Sequence, residues 1–284
     1  VSVYRGPERL TNESYMPQAS PVRLFKQRLE GRIETHWHEF FEMGFVVGGS
    51  GTHVLNGVPM RLSRGDLFLL TPADFHSLEP DSGGTLELYD LIFNDQFIRD
   101  PLLELLFDRG THRTACYDRE ETEAAEREFE LIWKESADWQ AGSGMLVQGS
   151  VERLLIQLSR RSREAGDEYA SSGGQAVNQP IQPSVRKALI YIQHHFRDTI
   201  TLEDAAGSCG LSPNYFSECF RKGTGVTFQT YVQELRMQFA KSLLKSTRLP
   251  VTEICFASGF NTLPHFERAF KRRFGASPRE HRKQ

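Results

Sequence analysis

Residues 201–225 read TLEDAAGSCGLSPNYFSECFRKGTG, and residues 250–275 read PVTEICFASGFNTLPHFERAFKRRFG. The first stretch opens on Thr201 with an acid three residues on, Asp204, a shortened capping box that predicts a short helix from Leu202. Gly210 stops that helix, and Ser212-Pro213 restarts the chain as N-cap and first helical residue. The second stretch repeats these events: a short helix, Gly259 as the turn, and a new helix opened by Asn261-Thr262. Gly210 aligns with Gly259, Phe216 with Phe266, Phe220 with Phe270, Arg221-Lys222 with Lys271-Arg272 and Gly225 with Gly275, at separations of 49 or 50 residues. Helix, glycine turn and capped helix is the pattern of a helix-turn-helix, whose second helix enters the major groove of DNA.

Working outward, VTFQTYVQELRMQFAKSLLKST between the two units reads as one long helix with Val232, Leu235, Phe239 and Leu243 inward. Such a spacer would hold two readers about one DNA turn (~34 Å) apart on one face. Ser184 is expected to cap a preceding helix striped by Val185, Ala188, Leu189, Ile192 and Phe196, and Ser277-Pro278-x-Glu280 a final short one. A basic helical bundle is the bland alternative for this half, and the repeat argues against it. The charge agrees: residues 181–284 carry 16 Lys+Arg against 8 Asp+Glu, a balance of +8, whereas the first 180 carry 18 against 29, a balance of −11. A net charge of −3 over 284 residues conceals this asymmetry, which suggests a nucleic-acid-facing module joined to something that binds another class of partner.

With 39% apolar and 25% charged residues, the composition excludes disordered, collagenous and disulfide-scaffold classes. No apolar run approaches the ~18 residues of a membrane span, and the first thirty residues lack a signal-peptide core, so a cytoplasmic protein with no membrane partner is expected. The four cysteines show no C-x-x-C spacing. Residues 166–183, GDEYASSGGQAVNQPIQP, have linker composition. Before them, residues ~20–95 read as short strands: IETHWHEFFEMGFVV, a turn at GGSG, a hairpin about Asn56-Gly57, then GDLFLLTP and LELYDLIF. That spacing predicts an antiparallel barrel or sandwich. PLLELLFDRG, DREETEAAEREFELIWKESADW and MLVQGSVERLLIQLSRRSREAG then read as helices. The last carries an apolar stripe (Leu146, Val147, Val151, Leu154, Leu155, Leu158) that either packs on its own domain or forms a dimer seam. Residues 1–19 carry no readable element. The fold class is therefore two-domain: an N-terminal all-β barrel followed by helices, over residues 1–165, a linker at 166–183, and a C-terminal all-α domain with two helix-turn-helix motifs at 184–284.

Residues ~184–282 resemble the DNA-binding domain of the AraC/XylS family of bacterial transcription regulators, through Glu253-Ile254, Gly259-Phe260, Phe266, Phe270-Lys271-Arg272-Arg273-Phe274-Gly275 and Pro278. Phe25–Pro80 is similar to the family's cupin-like sensing barrel, through H-x-H-x-x-x-E at His36, His38 and Glu42, the GSGTH turn, and GDLFLL-x-P ending in His76. The resemblance implies an effector-responsive, sequence-specific regulator of transcription, an activator. Double-stranded DNA, a small-molecule effector, a second copy of the chain and RNA polymerase are its implied partners. Departures are few: Gly207 sits inside the first helix of the first unit, Pro264 in the first turn of the second reader, and Ala73 replaces a glycine frequent after the barrel's proline.

On the first reader the inward positions are Tyr215 or Phe216, Cys219 and Phe220, which leaves Asn214, Ser217, Glu218 and Arg221 outward; by resemblance the first three of these match base-contacting positions. A carboxylate such as Glu218 can accept only from an amino group, as on cytosine, and it repels phosphate. On the second reader Thr262, Leu263, His265 and Arg268 face out; Arg268 is either a bidentate guanine contact or a phosphate contact, while Lys271, Arg272 and Arg273 suit phosphates. In the barrel, even spacing puts His36 and His38 on one strand face with Glu42 in the same parity, and His76 arrives from another strand. These four suit one divalent transition metal, a metal-free contact with a hydroxylated effector, or a structural hydrogen-bond cluster. Trp37, with Phe40-Phe41, is either a stacking platform for a sugar ring or core. A metal-dependent cupin enzyme fused to a DNA reader is the alternative function; the barrel offers no further acid/base pair for it, and no catalytic residues are assigned.

Overall fold

A computed structural model describes residues 8–16, 21–94, 97–99, 102, 113–169 and 182–283. Its order is β1 (Glu8–Leu10), α1 (Asn12–Tyr15), β2 (Val22–Leu29), β3 (Ile33–His38), β4 (Phe41–Leu55), β5 (Val58–Ser63), β6 (Asp66–Leu70), β7 (Phe75–Pro80), β8 (Leu86–Phe93) and β9 (Thr114–Cys116). The helices α2 (Arg119–Ala137) and α3 (Ser143–Tyr169) follow, then α4 (Pro183–His195), α5 (Leu202–Ser208), α6 (Pro213–Thr224), α7 (Phe228–Ser246), α8 (Val251–Ala257), α9 (Leu263–Phe274) and α10 (Pro278–His281). Among the described residues no helix is long and apolar enough to cross a membrane. The helix expected over 101–110 lies outside the described residues but for Leu102, as does most of the expected linker; α3 runs on to Tyr169, past the expected boundary at 165.

The barrel is organised by β4. Its first part pairs with β6 and β8, and from Ser50 onward it pairs with β5 and β7, so one bent strand belongs to both walls. The turn expected at GGSG is therefore absent: the glycines let the strand pass close to its neighbours, and a Cβ on Gly51 would stand 2.5 Å from the Glu79 carbonyl oxygen. The reversal comes later, at Asn56-Gly57, where φ values of 50° and 79° are those of a tight hairpin turn. Phe41, Met43 and Phe45 lie on the outer face of β4 under α2 and α3, with Phe45 and Phe129 stacked at 5.2 Å. Glu42, Gly44 and Val46 alternate inward. The stripe of α3 is spent on this contact: Val147, Val151, Leu154, Leu155 and Leu158 are buried, whereas Met145, Leu146 and Trp139 remain exposed at the tip of the helical pair. An element the sequence did not signal, β1, pairs in parallel with β3.

The C-terminal half keeps its expected punctuation. Thr201–Asp204 and Ser277–Glu280 form capping boxes, α5 and α8 are both 7 residues long, and α6 and α9 are both 12, each closed by a left-handed glycine (Gly225, Gly275). One expectation fails at α4, which starts at Pro183 with Gln182 in the cap position, so Ser184 lies inside the helix. Phe216, Phe220, Phe266 and Phe270 fill one core with Val232, Phe239 and Leu243 of α7. That core does not stop at the domain boundary. Trp37 and Phe75 of the barrel belong to it, and Ile190 of α4 packs into the barrel–helix core instead.

Candidate functional site

Two sites are present, one in each half. The reading faces of α6 and α9 are solvent-exposed at Asn214, Ser217, Glu218, Arg221, His265, Arg268, Lys271 and Arg272; Thr262 stands at the N-cap position of α9 without a side-chain cap hydrogen bond and is exposed, and Leu263 is half-buried. Phe216 is buried and Tyr215 exposed, which resolves the choice between them and adds Tyr215 to the exposed face of the first reader. Glu218 and Arg268 occupy the same place, the sixth residue of a 12-residue helix, so the two readers present opposite charges at equivalent positions. Arg273 is a correction: its guanidinium donates to both carboxylate oxygens of Glu234 on α7 at 2.7 Å, which removes it from the free phosphate-binding set.

In the barrel a cavity of about 560 Å³ is lined by residues that include Gln27, His36, Glu42, His76 and Asp90 with Tyr15, Phe25 and Phe40. Glu42 reaches it by a route other than the expected one. Strand β3 ends at His38, the chain bends at Glu39-Phe40, and Glu42 sits on β4, so the shared parity with His36 and His38 is not what brings them together. His36, Glu42 and His76 each offer a ligand atom within 4.8 Å of the others; His38 stands outside that trio, with Nε2 3.3 Å from Glu42 Oε2 but off the line of a hydrogen bond. His53, which sequence reasoning missed, joins through His76 Nδ1 at 3.1 Å.

Backbone carbonyls assign the proton positions. His36 Nδ1–H donates to the Glu34 carbonyl at 2.9 Å, so its Nε2 accepts; His76 Nε2–H therefore donates to it at 2.9 Å, and His53 Nε2–H donates to His76 Nδ1. His38 Nδ1–H likewise donates to the Phe40 carbonyl at 2.9 Å and turns an unprotonated Nε2 toward Glu42. Burial keeps all four imidazoles neutral, pushing His38 down to about 3 and His53 to about 4. Burial, and then the proximity of Asp90, raises Glu42 well above the usual carboxylate range. Asp90 is raised by burial too; one of its oxygens accepts from Gln27 at 2.5 Å and the other, Oδ1, is buried with no partner. The histidine cluster thus offers neutral donors and acceptors, Glu8 and Glu34 also line the cavity, and no Lys or Arg lines it among the described residues.

The donor set fits a divalent metal. His36 ties Nδ1 to a carbonyl, the outer bond that orients a metal-binding imidazole. His36, Glu42 and His76 would hold the ion, which would supply Lewis acidity toward an oxygen-bearing guest. Trp37 is a second correction. Its side chain leaves the cavity by the opposite face of β3 and packs against Phe239 of α7, with ring centroids 5.4 Å apart.

The comparisons with known proteins follow the same division. A family model described as the AraC-like ligand binding domain matches residues 23–172, and one described as a helix-turn-helix domain matches residues 205–284. The chain is 28% identical over 280 residues to the HTH-type transcriptional activator RhaS of Escherichia fergusonii, covering 96% of each. It is 26% identical over 284 residues to the HTH-type transcriptional activator RhaR of Yersinia pestis, covering 98% of this chain and 94% of that one. Among solved structures, the C-terminal domain of AraT, a response regulator from Geobacillus stearothermophilus, is 38% identical with a TM-score of 0.36, over 37% of this chain and 88% of that one.

Proposed function

Because the chain belongs to the AraC family of transcription regulators, a ligand-binding barrel joined to two DNA readers, we propose that its effector is an uncharged, hydroxyl-rich small molecule held between His36, His76, Glu42 and Asp90. The protein is a DNA-binding transcriptional activator and not an enzyme. The observation that carries the effector reading is the unpartnered Asp90 Oδ1 beside neutral imidazoles in a cavity that no described Lys or Arg lines. A buried carboxyl oxygen of this kind needs a hydrogen-bond partner, which a hydroxyl supplies whether it donates or accepts, and an anionic guest would find no countercharge. A thermal-shift screen tests it: neutral polyols should raise the Tm of the wild-type chain and leave His76→Ala unmoved, whereas stabilisation by carboxylates or phosphates alone would reject this class.

A second reading, one divalent metal at His36, Glu42 and His76, is favoured by the closeness of the three ligand atoms and by the carbonyl that orients the His36 imidazole. Metal analysis of untagged protein decides it. About one Ni, Zn, Fe or Mn per chain supports the metal, and a metal-free chain with full stability and effector response removes it.

For the DNA side, we propose base contacts at Asn214, Ser217, Glu218, Thr262, Leu263, His265 and Arg268, and phosphate contacts at Arg221, Lys271 and Arg272. Arg268→Ala should cost about 1–3 kcal/mol on the best site and flatten preference at one or two base pairs. Arg272→Ala should weaken all sequences alike and lower the salt slope by ~1. Equal losses on every sequence from Arg268→Ala would reassign it to phosphate. The exposed Trp139, Met145 and Leu146 support a homodimer through the helical tip, tested by concentration-dependent sedimentation, and an activator's work on DNA supports RNA polymerase as partner and a cytoplasmic site of action.

A further inference from the structure

The wall made by β3 and β7 is one residue thick and has different tasks on its two faces. Across the ladder His36 is opposite His76 and Trp37 is opposite Phe75. Strand alternation sends the histidine pair into the cavity and the aromatic pair out of the barrel. Outside, both rings meet one side chain: Trp37 and Phe75 each stand 5.4 Å from the ring of Phe239, edge-on at 79° and 88°. Phe196 closes a third side at 5.6 Å. Arg197 lies over Trp37, Phe196 and Phe239 at 5.3, 4.8 and 5.2 Å, and donates to the Pro72 carbonyl, in the turn just before β7, at 3.2 Å. Phe239 is 3% exposed, and it belongs to α7, the helix that joins the two readers.

Inside, His36 Nε2 and His76 Nε2 are 2.9 Å apart. A guest atom hydrogen-bonded to both needs roughly 2.8 Å to each, so the two nitrogens must part to about 4.5 Å or turn away from one another. Trp37 and Phe75 are the chain neighbours of His36 and His76, so parting the two rings through the backbone carries the aromatic pair with it. The docked arrangement does not hide the readers, since Asn214, Ser217, Glu218, Arg268 and Arg272 all stay exposed. What the barrel can change is therefore the placement of α7, and with it how two reader helices meet two successive grooves.

We propose that Phe239 is the positioning residue of this regulator: the Trp37–Phe75 pair holds it, and so α7, in one seat on the barrel, and a guest between His36 and His76 shifts that seat. This rests on the cavity being the effector site.

The test is a mutant cycle on the full chain, with DNA selected from a random pool by the wild-type protein. His36→Phe places a ring in the cavity in lieu of a guest. By anisotropy it should change the Kd for the selected site at least about fivefold in the wild-type background, and less than twofold when Phe239→Leu is also present. Phe75→Leu, which cuts the same contact from the barrel side and leaves the DNA-binding half untouched, should silence His36→Phe equally, and it stands in if Phe239→Leu fails to fold. The same fold-change in every background, as a merely structural Phe239 would give, overturns the proposal, and so does a His36→Phe protein that binds DNA like the wild type. Failure of the effector reading would show separately, as the absence of any guest whose stabilisation is lost in His76→Ala.

Discussion

Between about 50 and 200 mM monovalent salt, the affinity of the full chain for its DNA site should fall by roughly 10²–10⁴-fold. Arg221, Lys222, Lys271 and Arg272 are exposed on or beside the two reading faces, with Glu280 within electrostatic reach of Lys271. The first turns of α6 and α9 add backbone N–H groups that can hold phosphate oxygens. About 5–8 phosphate contacts give a log–log slope of about −4 to −7, and every neutralised phosphate releases condensed counterions. The pairing of Arg273 with Glu234 sharpens the expectation, because Arg273→Ala should leave the slope where it is. Anisotropy titrations at four or five salt concentrations measure it. A slope near zero would mean that the +8 charge of residues 181–284 is only a solvated surface.

How far the molecule is legible before folding depends on how local its determinants are. The DNA-binding half is specified by caps and left-handed glycines within a few residues of the structure they create, so Thr201, Gly210, Ser277 and Gly275 could be placed directly from the sequence, although Ser212 and Thr262 open the two readers without a side-chain cap hydrogen bond. The barrel site is specified by pairing between distant strands, and there parity misleads. Glu42 and His53 both lie toward the cavity cluster though they are eleven residues apart on β4, an odd separation, because the register slips between Val46 and Gly48. A bulge sets two residues against one and exchanges the faces beyond it. Only the histidine of GSGTH could have hinted at this, and it reads equally well as an outward residue. Trp37 fails for another reason. Alternation separates it from His36 and His38, yet a strand covered on both faces offers no polar side to tell inside from outside, and the cover on its far side is a helix two hundred residues away.

Phe270→Ala should destabilise the DNA-binding half by about 3–5 kcal/mol, a large part of an ordinary domain's 5–15 kcal/mol. Phe270 is fully buried, with Phe266, Phe274 and His281 around its ring at 5.6, 4.6 and 5.6 Å. Removing it leaves a cavity in the packing that fixes α9 against the rest of its unit, and the second reader loses the surface that orients it. The repeat adds a sharper demand. Phe220 is the eighth residue of α6 as Phe270 is of α9, equally buried, with Phe216, Phe228 and Tyr231 about it at 5.3, 6.3 and 5.5 Å. Phe220→Ala should therefore cost about as much, whereas Phe256→Ala, on the 59% exposed side of α8, should stay within about 0.5 kcal/mol. Urea unfolding followed by circular dichroism measures all three, and a two-domain chain calls for fitting two transitions. A Phe270→Ala chain whose second transition moved by less than about 1 kcal/mol would contradict the packing of α9. A loss confined to Phe270, with Phe220→Ala neutral, would contradict the equivalence of the two units, from which both readers were first inferred.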